Sequence, residues 1–450
     1  MTKAQKDGLY LLSLGAAVFL LLGAALQHSA SDSREDFKAV VYGARCLLHH
    51  CDPYSEPDLY RFYLHEFGEP VASHLRVHSL TLYVNLPATI LFVAPFALIP
   101  FGLASVLWSL LTATSLILAA LLAWDLASEY SPALPGALIA VVLSSAAIVL
   151  GNLNPAGVVV AFCVIAIWCF QKQRFVFAGV LLLAFSLALK PHDAGPIWLY
   201  LLLAPSSLSG SLRKRALQTL AATTIISLAA IVWVSAVAPH WPAELRANMA
   251  VMSSPGGNND PAPSGPTSRD RATEAIVSLQ AAISVFRDDP PFYNATTYLA
   301  CGALLLLWIV VTLRSTHPTP SLTWLALAAI VPVTMLVTYH RDYDTRLLLL
   351  AVPACAMLYS QRGLAGKSAL LVTTLAIICT GELSNVLLKS LTPNLPLVGP
   401  SATVIQKLTV LVLGRNGSIT LLLMSVFYLY IYLREVFQRE KPSMPGPVSP

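Results

Sequence analysis

Asp36 heads a stretch, DFKAVVYGARCLLHHCDPY over residues 36–54, that also offers Tyr42, Arg45, Asp52 and Tyr54. Four more polar clusters follow. GNLNP brings Asn152 and Asn154, and KPHD brings Lys190, His192 and Asp193. SLQAAISVFRDDP brings Gln280 and Arg287, and HRDYDTR brings His340, Arg341, Asp342, Asp344 and Arg346. A carboxylate can act as a general base, and cations with N–H donors can hold a phosphate. Charges between apolar segments are costly unless a water-filled site uses them. The set suits a pocket at a membrane surface that binds an anionic lipid headgroup, such as a phosphate, beside a proton-accepting carboxylate.

Each member also has a plainer use. Ser33 and Asp36 stand in capping-box spacing, and a carboxylate belongs near a helix N-terminus. Lys190 could snorkel from the end of a span. His340 and Arg341 could be interfacial anchors, and Arg341, Asp342, Asp344 and Arg346 could neutralise one another. No histidine shows the HExxH pattern or another tight ligand spacing, so no metal is expected.

The elements that must hold these residues are apolar. Of 450 residues, 56% are hydrophobic and only 11% charged, against about 25% charged in a soluble domain. An all-α, polytopic membrane protein follows, with about twelve spans, each nominally about 20 residues long. Its spanning domain covers residues 1–435, with large outside loops at 28–85 and 239–295 and a disordered cytoplasmic tail at 436–450. Lys and Arg cluster at 172–174, 213–215, 314, 362–367 and 434–441. Positive residues mark the cytoplasmic side, so both termini are placed inside and the polar clusters outside. Pro95 and Pro100 break segment 86–100, which reads as a half-helix or re-entrant piece. Segment 239–295 carries SSPGGNNDPAPSGPTSRD and reads as a mobile loop.

Phe37, Val40, Val41, Ala44, Leu47 and Leu48 fall at helical spacing, with Lys38, Arg45 and His49 on the other face. That pattern predicts a helix lying flat in the headgroup region. LYRFYLHEF, residues 59–67, reads as a second amphipathic helix. Cys46 and Cys51 can pair if this side is oxidising, although an i, i+5 spacing on a helix places them imperfectly. The other five cysteines lie in apolar runs and read as inert filling.

In order and spacing these pieces resemble glycosyltransferase family 87 of the GT-C class, the polyprenyl-phosphate-mannose-dependent α-mannosyltransferase-like proteins. The matching stretches are DFKAVVYGARCLLHHCDPY, NLPATILFVAPFALIPFGLASVLW, GNLNP, LALKPH, SLQAAISVFR and YHRDYDTRLLLLAVP, spread over residues 36–353. The resemblance implies a GT-C-type bundle in a bacterial inner membrane with an extracytoplasmic active site. It implies Asp36 as the base and His340 and Lys190 at the donor phosphate, where Arg341 and Arg346 can assist. Tyr42, Arg45, Tyr54, Asn152, Asn154, His192, Gln280 and Arg287 become substrate-binding candidates. The expected partners are a polyprenyl-phosphate sugar, a lipid or glycan acceptor and membrane lipids, with no cofactor and no nucleic acid. Two positions depart from the family. Tyr83-Val84-Asn85-Leu86-Pro87 replaces a tyrosine-proline-proline, and Gly151-Asn152 replaces a glycine-glutamine pair. The competing reading is a transporter or flippase of a polar lipid or lipid-linked sugar. It would place charges deep inside spans and show internal repeats, and no repeat is visible.

Overall fold

Apolar runs free of Pro and Gly clusters become the long helices, and the breaks fall where Pro or a charge cluster intervenes. The computed structural model describes residues 1–29, 34–67, 82–204, 210–262, 276–315, 319–382 and 402–439. Among these the regular elements are helices, with one isolated antiparallel bridge between Ile276 and Arg341. The long apolar α1 (Lys3–Ser29) leads to α2 (Glu35–Leu48) and α3 (Glu56–Phe67). Next come α4 (Pro87–Ala97), the long α5 (Phe101–Ser128), α6 (Ala133–Ser144) and the one-turn α7 (Ala147–Asn152). α8 (Ala156–Lys172), α9 (Val176–Leu189) and α10 (Pro191–Leu203) precede the long α11 (Gly210–Val237). α12 (Trp241–Ser253) and α13 (Leu279–Ile283) separate it from α14 (Pro290–Arg314) and α15 (Pro320–Val337). A 3₁₀ segment, Asp342–Ala351, runs into α16 (Val352–Ser360) and α17 (Leu364–Cys379). The described chain closes with α18 (Val404–Gly414) and α19 (Asn416–Arg439).

Six of these helices (α1, α5, α11, α14, α15 and α19) are long and apolar enough to cross a membrane, and six shorter apolar helices accompany them. The chain is therefore a membrane protein. At about 1.5 Å per residue, α4 is roughly 16 Å long, about half the hydrocarbon thickness. It stops at Ala97, before Pro100 opens α5. The centre of the bundle is α8, α15 and the 3₁₀ segment, nearly every residue of which is buried.

Between apolar helices in lipid, small residues allow the close approach that dispersion needs. α1 packs along α6 in this way. A Cβ on Gly136 would collide with the backbone of Gly8. Gly136→Val is therefore expected to force the pair apart, costing about 1–3 kcal/mol as other overpacked sites do. A lowered thermal midpoint in detergent is the readout, and an unchanged midpoint would refute this contact as a close-packing seam.

Three expectations need correction. α2 forms, but it is packed within the protein rather than presenting a wholly exposed polar face. Phe37, Val41, Tyr42, Ala44 and Cys46 are fully buried, and Arg45 is only 7% exposed. α4, α3 and α7 pack around it, and Arg45 finds acceptors within the protein. Its Nε donates to the Ala97 carbonyl (3.0 Å) and its Nη2 to that of Ile99 (2.5 Å). These carbonyls lie at the C-terminal end of α4, where a helix carries negative partial charge. Segment 239–295 is likewise not all loop, because Trp241–Ser253 is helical. Asn248 of α12 donates to the carbonyls of Tyr54 (2.9 Å) and Tyr83 (3.1 Å), docking it on the first loop. Finally, helix α19 continues to Arg439, past the expected tail boundary at 436. Ser33, residues 263–275 and the tail from 440 lie outside the described residues.

Cys46 and Cys51 form a disulfide. α2 ends at Leu48, and His50 takes a left-handed φ of 60°. The chain thus doubles back and brings the two Cα atoms to 4.7 Å, which a continued helix could not do.

Candidate functional site

Asp36 sits in the first turn of α2 and is half-buried. Its position depends on the GNLNP turn. α7 ends at Leu153, which takes a left-handed φ of 55°. The carbonyls left over at that helix end are met by three separate elements, as orphaned helix termini require. Gln27 Nε2 donates to Leu150 (2.6 Å), the Arg34 amide to Gly151 (2.9 Å) and Trp108 Nε1 to Leu153 (3.0 Å). Asn154 then turns the chain into α8. Its Oδ1 accepts the Ala156 amide at 2.8 Å, which fixes the amide orientation. Its Nδ2 consequently faces Asp36 and donates to Oδ2 at 2.9 Å.

The other half of the site is built where α9 breaks at Lys190-Pro191. Lys190 Nζ bonds Asp344 directly and lies 3.3 Å from Asp193 Oδ2. His340 donates from Nε2 to Asp193 Oδ1 at 2.9 Å and from Nδ1 to the Thr338 carbonyl at 3.1 Å. His192 stacks edge-on against His340, with ring centroids 4.7 Å apart. The Arg341 amide donates to Asp344 Oδ2 at 3.1 Å. Its guanidinium bonds the Tyr339 hydroxyl and the Asn258 carbonyl. Asp193, His340, Asp342 and Asp344 are essentially inaccessible.

Such burial is tolerable only for compensated charges. Burial raises Asp193, but Lys190 and the His340 hydrogen bond outweigh it and hold its carboxyl well below the usual range. Burial pushes Asp344 up; Lys190 opposes this and the charge on Asp193 reinforces it. For Lys190 burial works downward, yet the two carboxylates hold it above its ordinary value. Burial likewise opposes the His340 charge, and Asp193 overcomes it. For His192 burial outweighs the opposing charge on Asp193 and, with the Lys190 and His340 charges, takes it down to about 3. The result is a cation pair, Lys190 and His340, held against two carboxylates.

Tyr343 joins the two halves. Lys190 Nζ stands 5.4 Å over its ring. Burial raises its phenol well above the ordinary value, and Arg341, Asp36, Asp344 and Asp342 all act on it electrostatically. Asp36 and the Lys190 ammonium thus both act on this one buried tyrosine. The stretch that carries it, Asp342–Ala351, is a ten-residue 3₁₀ helix, far beyond the usual run of three or four.

Asn154 thus holds Asp36, and Lys190, His192 and His340 meet at Asp193 and Asp344, with Asp36, Lys190 and Arg341 all acting on Tyr343, while other candidates lie elsewhere. Asn152, half-buried, ends α7 two residues before Asn154. Tyr42 is buried against Tyr63 and Phe101 beside Arg45. Tyr54 donates to the Asn85 carbonyl and packs on Tyr83 and Trp241. Gln280 donates to the Val337 carbonyl at 3.0 Å, below His340. Arg287 pairs with Asp289 and Phe292 at the surface. Arg346 lies deeper, donating to the carbonyls of Val142 (3.0 Å) and Asp342 (3.3 Å). Two residues went unnoticed in the sequence. Tyr343 sits inside the HRDYDTR cluster, where only the charges drew attention. Glu382, buried, accepts the Ile148 amide on both carboxylate oxygens (2.9 and 2.8 Å) and so anchors α7; an isolated Glu in an apolar run was the available signal.

An apolar cleft of about 120 Å³ lies between α10, α14 and α15. Pro196 and Val337 in its wall are each three residues from Asp193 and His340 respectively. Compared with known proteins, the chain matches no family model, no curated protein and no solved structure.

Proposed function

We propose that the chain is an integral-membrane glycosyltransferase that takes a hexose, mannose by resemblance, from a polyprenyl-phosphate donor. The observation that carries this reading is that Asp36 and Lys190, the partner of His340 at Asp193, both act on one buried residue, Tyr343. Glycosyl transfer needs those two functions side by side, a base for the acceptor hydroxyl and stabilisation of the leaving phosphate. Asp36 takes the acceptor proton as the acceptor oxygen bonds to the anomeric carbon. The bond from that carbon to the phosphate oxygen breaks, and polyprenyl phosphate leaves with its charge held by Lys190, His340 and Arg341. A single displacement inverts the anomeric centre.

The apolar cleft whose wall includes Pro196 and Val337, three residues along the chain from Asp193 and His340, supports the same reading, because a lipid-linked donor needs an apolar wall for its chain. The Cys46–Cys51 disulfide, at the far end of α2 from Asp36, favours an extracytoplasmic site, which we place in a bacterial inner membrane with both termini cytoplasmic. The test is label transfer from polyprenyl-phosphate [³H]mannose to a membrane lipid extract by the purified protein. No transfer from any polyprenyl-phosphate hexose, by protein that remains monodisperse, would overturn the reading.

Asn154 positions the base in this scheme. Asn154→Ala is expected to lower kcat by about 10- to 100-fold, since small losses of orientation cost that much. KM for the donor is expected to stay unchanged. A rise in KM with unchanged kcat would assign Asn154 to donor binding instead.

A second reading, transport of a polar lipid, draws support from one observation. Arg346 and Glu382 are buried beneath the site, close enough to act on each other. Charges at that depth suit an ion-coupled carrier. Retention of activity by an Asp36 variant in a liposome uptake assay would favour that reading.

A further inference from the structure

The fold assembles a ligand set that no sequence spacing announces. His192, Asp193 and His340 present one ligand atom each, all within 4.8 Å of one another. Two ligands bound to one ion at about 2.0–2.1 Å stand roughly 2.9–3.4 Å apart. His340 Nε2 and Asp193 Oδ1 are 2.9 Å apart. We propose that His192, Asp193 and His340 form a site for a borderline divalent transition-metal ion, with zinc as the best fit.

Four features of the surroundings support this assignment. His340 is oriented as metal-bound histidines are, with its other ring nitrogen donating to a carbonyl, that of Thr338. The His192 ring makes no hydrogen bond among the described residues, so its lone pair is available. His192 is also the half-exposed member of the three, which gives an ion a way in. Lys190 engages the opposite oxygen of Asp193, Oδ2, together with Asp344. An ion on the Oδ1 side therefore leaves the lysine where it is.

The binding step balances simply. The ion takes the place of the proton between His340 Nε2 and Asp193 Oδ1, and that proton goes to solvent. His192 turns its ring to complete the set. Two imidazole nitrogens and one carboxylate oxygen suit zinc, cobalt or manganese, whereas magnesium and calcium prefer all-oxygen shells. Three protein ligands leave a further position open for water or an anion.

The test uses the full chain purified in detergent through a tag without histidines and stripped with a chelator. It is incubated with Zn²⁺, Co²⁺ or Mg²⁺ and passed through gel filtration before metal analysis. One zinc or cobalt per chain is expected, with visible cobalt absorption from an N/O site and no retained magnesium. His192→Phe keeps a ring against His340 but removes a ligand. It is expected to weaken zinc binding by about 100-fold or more, beyond the 10- to 100-fold seen when only an outer partner is lost. If His192→Phe does not remain monodisperse, His192→Gln carries the same comparison. Failure of the wild-type chain to retain zinc would overturn the proposal. So would equal retention by the variant, which would assign the ion to other histidines. No step of this test measures sugar transfer, so its outcome is separate from that of the proposed reaction.

Discussion

Asp36→Asn is expected to lower sugar transfer by about 10²–10⁴-fold, the range that a positioned general base contributes. The substitution keeps the size of the side chain. The new carboxamide can still accept the Asn154 amide through its own oxygen, the contact Asp36 makes at 2.9 Å. Asp36 is half-buried at the head of α2, and losing a charge near a helix N-terminus costs only about 0.3–1 kcal/mol. Fold and donor binding should therefore survive, and the defect should fall on kcat. Label transfer by the two proteins, with gel-filtration profiles alongside, makes the comparison. Equal transfer by wild type and variant would remove Asp36 as the base and point to Glu35, its neighbour in the same helical turn.

Lys190→Met is expected to have the largest effect on stability. Its ammonium serves two buried carboxylates at once, Asp344 by direct contact and Asp193 at 3.3 Å. The side chain is 21% exposed, and both partners are within 2% of full burial. Removing one partner of a buried ion pair strands the other, at about 3–5 kcal/mol. Here two carboxylates are stranded, with His340 the remaining adjacent cation for Asp193. Adding Asp344→Asn to Lys190→Met removes one stranded charge and is expected to restore part of the loss. The thermal midpoints of wild type, both single variants and the double variant form a cycle that isolates the coupling. A double variant as unstable as the sum of the singles would show that the ion pair adds nothing to the fold.

Much of the architecture was legible from residue types alone. A chain with 11% charged residues must put its apolar runs into lipid or into one another. Helices are the form that satisfies their backbone there without an edge. The helical spacing from Phe37 to Leu48 predicted α2, and Pro100 marked the break after the short α4, although Pro95 lies inside that helix. The polar clusters were also visible, because each breaks an apolar run.

What a local pattern could not decide was which side of a residue meets protein. α2 has an amphipathic sequence, but packing by α3, α4 and α7 buries Arg45 of its polar face as well, and Arg45 becomes a clamp on the end of α4. Nor could the sequence sort its cations by role. Lys190, His340, Arg287 and Arg346 look alike in sequence. Only the fold sends Arg287 to the surface and Arg346 beneath the site, while bringing Lys190 and His340 to Asp193. His340 and Asp193 are 147 residues apart, so no spacing rule connects them. Residue types determined that this is a helical membrane protein with polar clusters between apolar runs. Tertiary packing decided which clusters meet, because a buried charge must find its partner wherever the chain brings one.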